Sequence, residues 1–287
     1  MCHKHQVYAA RFGLLALVCA LLILLPVYDA SAQDEAALRV LTYNVSTRNP
    51  DADALIAWLL LQDADVIALQ EVSTAYDVRL ATEVESVYPY SESIISERNR
   101  RANITLSRYP IVQAQPLPEL DSLYSRLCAA GHEVDFYNIS LDTPFVEGSE
   151  PITGIGWLDL SLRYNEEDQH EQVEELIALL TDVTRPVLLA GDFNLTAGSE
   201  SYHTLASRLI DSFDEAGTGS GLTWPVAAVY DLPEFLPALL RIDYVWHSAH
   251  FQAQAATVID GVGSDHLPLS ASLAFAPEAA FPPCSAE

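Results

Sequence analysis

Basic residues are scarce in this chain, and lysine is almost absent. Lys4 is the only lysine among 287 residues, and 14 Lys plus Arg stand against 40 Asp plus Glu, for a formal net charge of −26. Proteins that bind nucleic acids ordinarily neutralise phosphates with a basic surface. The composition therefore disfavours a long polyanion as the partner, and it is typical of a highly soluble or salt-adapted surface.

Cysteine is scarce as well. Of the 4 cysteines, Cys2 and Cys19 lie near the N-terminus, which leaves Cys128 and Cys284 in the rest of the chain. Their spacing matches no zinc-binding pattern. Two cysteines in an exported chain can form one disulfide, and the sequence leaves open whether these two pair.

The first 32 residues have the pattern of an export signal. Lys4 and Arg11 precede an apolar run over residues 12–27, and the triplet Ala30–Ala32 fits the small-residue rule for cleavage. The run is short for a membrane span. Residues 1–32 therefore predict a secretory signal peptide, with an uncleaved N-terminal membrane anchor as the alternative.

Beyond the signal, strand-like and helix-like stretches alternate without an internal repeat, which predicts one domain over residues 37–275 and a loose tail over 276–287. The predicted strands are 38–43, 65–70, 103–107, 134–141, 186–190, 242–246 and 267–273, the predicted helices are 52–61, 169–181 and 199–210, and 214–240 is predicted to be loop with local helix. Several strand pairs are too close for a crossover helix. The pattern therefore favours a layered α/β (α+β) sandwich with mixed sheets.

Polar side chains recur where these strands end. The apolar stretch before "GDFN" leads to Asp192 and Asn194, which would project to the same side if the strand continues that far. Four further segments, "TYNV", "LQEV", "RIDYVW" and "GSDHLPL", contribute Asn44, Glu71, Asp243, Asp265 and His266. Each residue alone has a plain structural explanation as a turn, cap or ion-pair residue. Their recurrence in one setting favours a common site at the strand ends.

Together the segments resemble a known family. "TYNV", "LQEV", "LSRYPI", "GDFN", "RIDYVW" and "GSDHLPL" occur in the order and approximate spacing of the endonuclease/exonuclease/phosphatase superfamily, from about Leu38 to Leu273. That superfamily includes DNase I, apurinic endonucleases, neutral sphingomyelinases and inositol polyphosphate 5-phosphatases. The resemblance implies a four-layer α/β/β/α sandwich, DNase I-like, with two mixed β-sheets flanked by helices. It also implies metal-dependent hydrolysis of a phosphate ester.

The resemblance assigns the metal to three oxygen-bearing side chains. Glu71 would be the principal ligand of Mg²⁺ or Mn²⁺, and Asn44 and Asp265 would assist it. Hard oxygen donors in small number suit these ions, which keep water ligands and accept substrate phosphate oxygens.

The resemblance assigns the chemistry to four other side chains. Asp192 would position or deprotonate the attacking water, and Asn194 would donate a hydrogen bond to a phosphate oxygen. Asp243 would accept a hydrogen bond from the His266 ring and favour its charged form. Whether Asp192 or His266 is the general base is left open.

One position departs from the family pattern. Where many relatives have histidine after "N-x", this chain reads "YNISL" and places Ser140 at the position expected to contact the phosphate. Serine donates one hydrogen bond but carries no positive charge. Compensation by His170, Arg98, Arg100 or Arg101 is one interpretation, and a catalytically weakened binding protein is another.

The substrate is the least determined property. The acidic charge favours a small or lipid-linked phosphate ester over nucleic acid, so a secreted DNase I-like endonuclease is the second hypothesis. The apolar stretch 224–240 is either a lipid-facing loop or a packed insertion, and no oligomer is predicted. Asn44, Asn103, Asn138 and Asn194 all lie in N-x-S/T sequons. Because glycans on Asn44 or Asn194 would block the site, we expect bacterial-type export, to the periplasm, the medium or the outer face of the membrane.

Overall fold

The computed structural model describes residues 37–98, 100–144, 166–230, 233, 236–277 and 281–284. The predicted signal peptide lies outside the described residues. Within them, no helix is both long and apolar enough to cross a membrane.

Strands and helices alternate over the described residues much as the sequence predicts. The strands are β1 (Leu38–Asn44), β2 (Val66–Ser73), β3 (Tyr90–Ile95), β4 (Arg101–Ser107), β5 (Ile111–Leu117), β6 (Ser122–Ala129), β7 (His132–Ser140), β8 (Val187–Asp192), β9 (Ile210–Asp211), β10 (Gly217–Thr218), β11 (Asp243–His247), β12 (Phe251–Val258) and β13 (Leu269–Phe275). The α-helices are α1 (Ala52–Leu59), α2 (Asp77–Val84), α3 (Glu167–Leu180), α4 (Glu200–Ala206) and α5 (Ser212–Ala216).

The strands form two mixed sheets. One has the order β10-β12-β13-β1-β2-β4-β3 and the other β5-β6-β7-β8-β11-β9. Strands β1 and β2 are parallel, as are β7 and β8, whereas β11 runs antiparallel to β8. Each sheet thus has a central parallel pair whose carboxyl ends lie at one edge.

Three apolar clusters show that the sheets and helices form four layers. Val40 of β1 and Leu188 of β8 belong to a cluster that fills the space between the two sheets. Leu55 of α1 packs in a second cluster on the outer face of the first sheet. Val173 of α3 and Leu205 of α4 pack in a third cluster on the outer face of the second sheet. This arrangement confirms the four-layer α/β/β/α sandwich.

Predictions of individual elements succeed where apolar periodicity is strong. All seven predicted strands and the helices predicted at 52–61 and 169–181 are present, with ends shifted by a few residues. The helix predicted over 199–210 is too long, because α4 ends at Ala206 and Ile210 begins the short strand β9. The strand before "GDFN" does not continue to Asn194, because β8 ends at Asp192.

The C-terminal tail is attached rather than loose where the structure describes it. Cys128 of β6 and Cys284 form a disulfide, which answers the question left open by the sequence. The Cys284 N–H donates to the Gly131 carbonyl, and the Glu133 N–H donates to the Pro282 carbonyl. Residues 281–284 are therefore held against the β6–β7 hairpin, at the end of β7 remote from Ser140.

Candidate active site

Four strands have a polar side chain at the terminus that lies at this edge of the sheets, facing the space between them. These residues are Asn44 of β1, Ser140 of β7, Asp192 of β8 and Asp243 of β11. Each lies two or four residues from an apolar side chain of the intersheet cluster. Because side chains on one face of a strand recur at every second residue, each polar side chain extends the inward face of its strand. The same alternation that builds the core thus places polar groups at one end of it.

Strand register brings these ends together within the second sheet. Ser140 is paired with Asp192, and Asp192 is paired with Asp243 on its other side. A hydrogen bond then joins the two sheets, because the Asn44 side-chain amide donates to Asp192 Oδ2 at 2.9 Å. The predicted residues Asn44, Asp192 and Asp243 therefore share one location, and all three are almost fully buried.

His266 connects the two aspartates. Its Nδ1 is 3.0 Å from Asp243 Oδ2, and its Nε2 is 3.8 Å from Asp192 Oδ2. Asp243 accepts a hydrogen bond from the ring, and Asp192 faces the other ring nitrogen at ion-pair distance, so the ring lies between two acids. The predicted hydrogen bond between Asp243 and His266 is present.

Burial and charge act in opposite directions on the His266 ring. Burial lowers the pKa of His266, but the negative charges of Asp243 and Asp192 together raise it further, and the resulting pKa is about 10. Burial also raises the pKa of Asp192, while the positive charge of His266 lowers it. His266 is therefore favoured as a cation at neutral pH, and Asp192 accepts a proton more readily than an ordinary aspartate.

Glu71 reaches this end of the sandwich through a β-bulge. The pairing of β2 with β4 shifts register between Leu69 and Val72, and Glu71 has a left-handed φ of 55°. By simple alternation Glu71 would follow Leu69 onto the outer face, which packs against the helices. A bulge re-aims a side chain locally. The charge of Glu71 contributes to the raised pKa of Asp192, so the two carboxylates lie in one electrostatic neighbourhood.

Glu71 is paired with an arginine. Arg101, the first residue of β4, places Nη1 at 2.5 Å from Glu71 Oε1. The Glu71 N–H donates to the side chain of Asn103, two residues further along β4. Strand β4 therefore fixes both the backbone and the carboxylate of Glu71.

Asp265 lies next to His266 but makes a different contact. Its Oδ2 is 3.4 Å from the indole N–H of Trp224. The charge of Asp265 contributes to the raised pKa of His266. Asp265 is thus at the rim of the cluster.

Asn194 is close to the cluster but bonded elsewhere. It adopts a left-handed φ of 52°, its N–H donates to Asp192 Oδ1, and its side-chain amide donates to the Leu141 carbonyl at 2.9 Å. The turn interpretation of Asp192 is therefore also correct, because this carboxylate organises the backbone that follows it. The condition for a common orientation of Asp192 and Asn194, a strand that continues to Asn194, is not met, because β8 ends at Asp192.

Ser140 and the basic residues named to compensate for it have distinct settings. Ser140 is half-buried, and its N–H donates to Ser122 Oγ. Arg98 binds the carboxylates of Asp121 and Asp142, and His170 lies 3.5 Å from Glu174. Among these candidates, Arg101 is the one whose guanidinium contacts a predicted site residue in the described structure.

The sequence does not predict two residues that hold the cluster in place. Ser264 Oγ donates to the Asn44 carbonyl and accepts from the His266 N–H, which ties the "GSDH" segment to β1. Thr223 Oγ1 accepts from the Asp243 N–H at 3.4 Å. Both are small hydroxyl side chains without a distinctive local pattern, although Ser264 lies in the same motif as Asp265 and His266.

The donor atoms at this end of the sandwich suit a hard divalent cation. Asp243 Oδ1 is buried without a hydrogen-bond partner among the described residues, and such an atom is unfavourable unless something else satisfies it. Ligand atoms of Asp192, Asp243 and His266 lie within 4.8 Å of one another. Because a protonated imidazole cannot ligate a metal, the oxygens of the carboxylates and of Asn44 are the better donors. The donor set fits Mg²⁺ or Mn²⁺.

Comparison with known proteins agrees with this geometry. A family model described as the Endonuclease/Exonuclease/phosphatase family matches residues 41–266. That range contains all the residues of the cluster. No curated protein matches the chain in sequence.

Solved structures share the fold at low sequence identity. An endonuclease/exonuclease/phosphatase from Bacteroides vulgatus superposes with a TM-score of 0.63 at 16% identity, covering 84% of this chain and 100% of that chain. A mannosyl-6-phosphatase from Bacteroides thetaiotaomicron gives 0.59 at 16% identity, covering 83% and 100%. Beta toxin from Staphylococcus aureus with bound magnesium ions gives 0.60 at 16% identity, covering 82% and 99%.

Proposed function

The chain belongs to the endonuclease/exonuclease/phosphatase family, and we propose that it is an exported, divalent-metal-dependent hydrolase of phosphate esters. The observation that carries this proposal is the buried arrangement Asp192, His266 and Asp243, which Asn44 joins to the opposite sheet. Perturbed titratable groups that face one another at the strand ends are typical of a catalytic site. The relatives named above include a phosphatase and a magnesium-bound protein, which supports the same reaction class.

The geometry favours Asp192 over His266 as the general base. The cationic ring of His266 has no lone pair available, whereas Asp192 has a raised pKa and accepts a proton readily. Asp192 would take a proton from the attacking water while the water oxygen bonds to phosphorus and the ester P–O bond breaks. His266 would stabilise the charge on the phosphoryl oxygens, and Asp243 would hold the ring in place.

We keep Glu71, Asn44 and Asp265 as the proposed metal ligands, with the unpartnered Asp243 Oδ1 as a further oxygen that would face the ion. A bound Mg²⁺ would polarise the phosphoryl group and stabilise the charge on the leaving oxygen. In the absence of a metal, the charge of Glu71 is offset by Arg101 and that of Asp243 by His266.

Export is supported by three features. The disulfide between Cys128 and Cys284 is of the kind that persists in oxidising compartments. Asn44, Asn103 and Asn138, which lie in sequons, are buried and could not carry glycans in the folded protein. Together with the predicted signal peptide, these features favour bacterial-type export. N-terminal sequencing of the exported protein should begin after Ala32 if the signal is cleaved.

Apolar residues beside the site favour a lipid-linked phosphate among the possible substrates. Val229, Leu236 and Leu239 are 46%, 39% and 64% exposed. Their segment joins the site because the Val226 N–H donates to the Asp265 carbonyl. Thr223 and Ala227 of the same segment are buried, so the segment is partly packed and partly exposed.

A panel of substrates tests the proposed function. Purified protein with Mg²⁺ would be offered bis(p-nitrophenyl) phosphate, sugar and inositol phosphates, phosphocholine-lipid vesicles and supercoiled DNA. We expect hydrolysis of a non-nucleic-acid ester that is abolished by chelation of the metal. DNA as the preferred substrate would favour the endonuclease, and metal-independent binding without turnover would favour a binding protein.

A further inference from the structure

The carboxylates of the site outnumber the cations that face them. Besides burial, the charges of Asp243 and Glu71 raise the pKa of Asp192. The charges of Asp243, Asp192 and Asp265 raise the pKa of His266 against the effect of burial. A phosphate ester would add further negative charge to this group. Cationic side chains that face the cluster would therefore assist the binding of such a substrate.

Arg101 is the cation placed to serve this purpose. Its guanidinium contacts Glu71, and its side chain is 38% exposed, so it combines a fixed contact with access from solvent. Arginine is suited to phosphate because its planar fork of N–H donors matches phosphate oxygens and remains charged at all physiological pH values.

Arg101 also lies at the same end of the sandwich as Ser140. Asn103 of β4 donates to the Asp121 carbonyl, and the next residue, Ser122, accepts from the Ser140 N–H. The start of β4 and the end of β7 are thus linked through the start of β6. Ser140 itself brings no charge to this position.

Arg98, unlike Arg101, contacts no predicted site residue among its partners in the described structure. Its Nε is 3.2 Å from Asp121, its Nη1 is 2.9 Å from Asp142, and its Nη2 donates to the Glu119 carbonyl. These contacts hold the β3–β4 connection against the neighbouring strands. Arg98 is a structural residue.

We propose that Arg101 binds the phosphate group of the substrate and provides the positive charge that Ser140 lacks. This inference rests on the proposed function. When no substrate is bound, the same guanidinium neutralises Glu71 and so competes with a divalent cation for that carboxylate. Arg101 therefore favours phosphate binding but opposes metal binding, a combination that a purely structural arginine would not produce.

Two measurements on Arg101→Gln separate these effects. Hydrolysis of bis(p-nitrophenyl) phosphate should fall by about 10²-fold in kcat/KM, the usual loss for one donor to a developing oxyanion. Calorimetric titration with Mg²⁺ alone should show binding about two- to fivefold tighter, since a partly exposed ion pair of up to ~1 kcal/mol no longer competes. Arg101→Lys should retain part of the activity, because it keeps the charge but loses the fork.

A second variant tests whether charge is the missing property. Ser140→His should raise kcat/KM of Arg101→Gln by about tenfold or more, in line with the worth of one charged hydrogen bond to a phosphoryl oxygen. The same substitution in the wild-type background should give a smaller gain. Arg79→Gln is the matched control, because Arg79 is a surface arginine paired with Glu83 on α2, and it should change neither measurement.

Specific outcomes would overturn the inference. Unchanged kcat/KM in Arg101→Gln would remove Arg101 from the substrate site. Loss of both hydrolysis and Mg²⁺ binding in Arg101→Gln would assign Arg101 a structural role. If Arg101→Gln with Ser140→His has no higher kcat/KM than Arg101→Gln alone, Arg101 does not supply the charge that Ser140 lacks. If the wild type hydrolyses nothing, the proposed function fails on its own. In that case, titration of inorganic phosphate into the Mg²⁺-loaded proteins still tests the role of Arg101. Weaker phosphate binding by Arg101→Gln than by the wild type would support phosphate binding by Arg101, and equal binding would refute it.

Discussion

Single carboxylates in this site differ in chemistry because their surroundings differ. Asp243 accepts a hydrogen bond from the His266 ring, Glu71 is paired with Arg101, and Asp192 is buried beside an amide and an imidazole. Groups whose environments push their pKa values apart can act as separate acid and base. Asp192 and His266 differ in this way, because Asp192 is placed to accept a proton whereas the cationic ring of His266 is placed to stabilise charge on the phosphoryl oxygens.

The pKa of His266 makes a prediction about pH. The charge of Asp243 helps to raise this pKa to about 10, so the ring stays cationic up to that pH and loses its charge above it. The charge on His266 also stabilises the fold below its unfolded pKa, and this stabilisation is lost as pH rises through the folded value. In Asp243→Asn the pKa of His266 falls. The alkaline limb of the kcat/KM profile should therefore move to lower pH.

A pH profile of hydrolysis by both proteins checks this. Asp63→Asn is a suitable control, because Asp63 is a surface carboxylate paired with Arg108 and its loss should leave the alkaline limb in place. An unshifted limb in Asp243→Asn would mean that the group titrating there is not His266.

At the scale of elements, a buried polar layer holds the two sheets together behind the site. Thr42 Oγ1 donates to Gln70 Oε1, and the Gln70 amide donates to Asn138 Oδ1 at 2.8 Å. The Asn138 amide in turn donates to the carbonyls of Leu69 and Ile104. The layer connects β1, β2 and β4 with β7, directly beneath the ends that carry the site residues.

Asn138→Leu should destabilise the protein by about 2–3 kcal/mol, because it removes the acceptor of the buried Gln70 amide and the two hydrogen bonds that Asn138 donates to carbonyls. Urea unfolding measures this loss. The double variant Gln70→Leu with Asn138→Leu should lose less than the sum of the single variants, because both partners are then apolar. Strict additivity would indicate that the two amides do not interact.

The sequence predicts the strands whose apolar residues are contiguous, and it misses exposed strands as well as β6 and β12, whose buried positions include small or polar residues. Strands β1, β2 and β8 are recognisable because their apolar residues are contiguous. Strand β3 ("YSESII") is exposed at almost every position, and β5 ("IVQAQPL") is similar, so neither carries a core-facing pattern. Both are edge strands that pair with one neighbour only, which is why burial imposes little on their composition.

The clustering of several candidate residues is predictable from the sequence, but the backbone features that orient the others are not. Asn44, Asp192, Asp243 and His266 are found because strand ends and motifs identify them. The position of Glu71 depends on a bulge with a left-handed residue, and that of Asn194 depends on a turn closed by Asp192. Such backbone features arise from the tertiary pairing of strands, which periodicity along one strand does not reveal.

At the scale of the whole molecule, the disulfide and the site occupy opposite ends of β7. The bridge between Cys128 and Cys284 spans 156 residues and anchors the tail beside His132, whereas Ser140 ends the same strand at the site. Cross-links stabilise mainly by restricting the unfolded chain. The bridge therefore affects stability and not catalysis.

Replacing both cysteines by serine should lower the free energy of unfolding by about 2–5 kcal/mol and leave kcat/KM unchanged at a temperature where both proteins are folded. Calorimetric melting with and without reductant measures the first effect. Reductant should lower Tm of the wild type and have no effect on the double variant. Equal Tm values for the wild type and the double variant, or loss of activity in the folded double variant, would contradict this assignment.

The central claim is that polar residues from both sheets form one metal-dependent hydrolytic centre. The most direct test is the initial rate of phosphodiester hydrolysis as a function of Mg²⁺ concentration, compared for the wild type, Glu71→Gln and Asp192→Asn. We predict a saturable metal dependence of the rate in the wild type and no metal-dependent rate in Glu71→Gln. In Asp192→Asn the rate should fall by about 10³-fold or more, as for loss of a general base. Both variants should remain folded. Wild-type rates in either folded variant would contradict the claim.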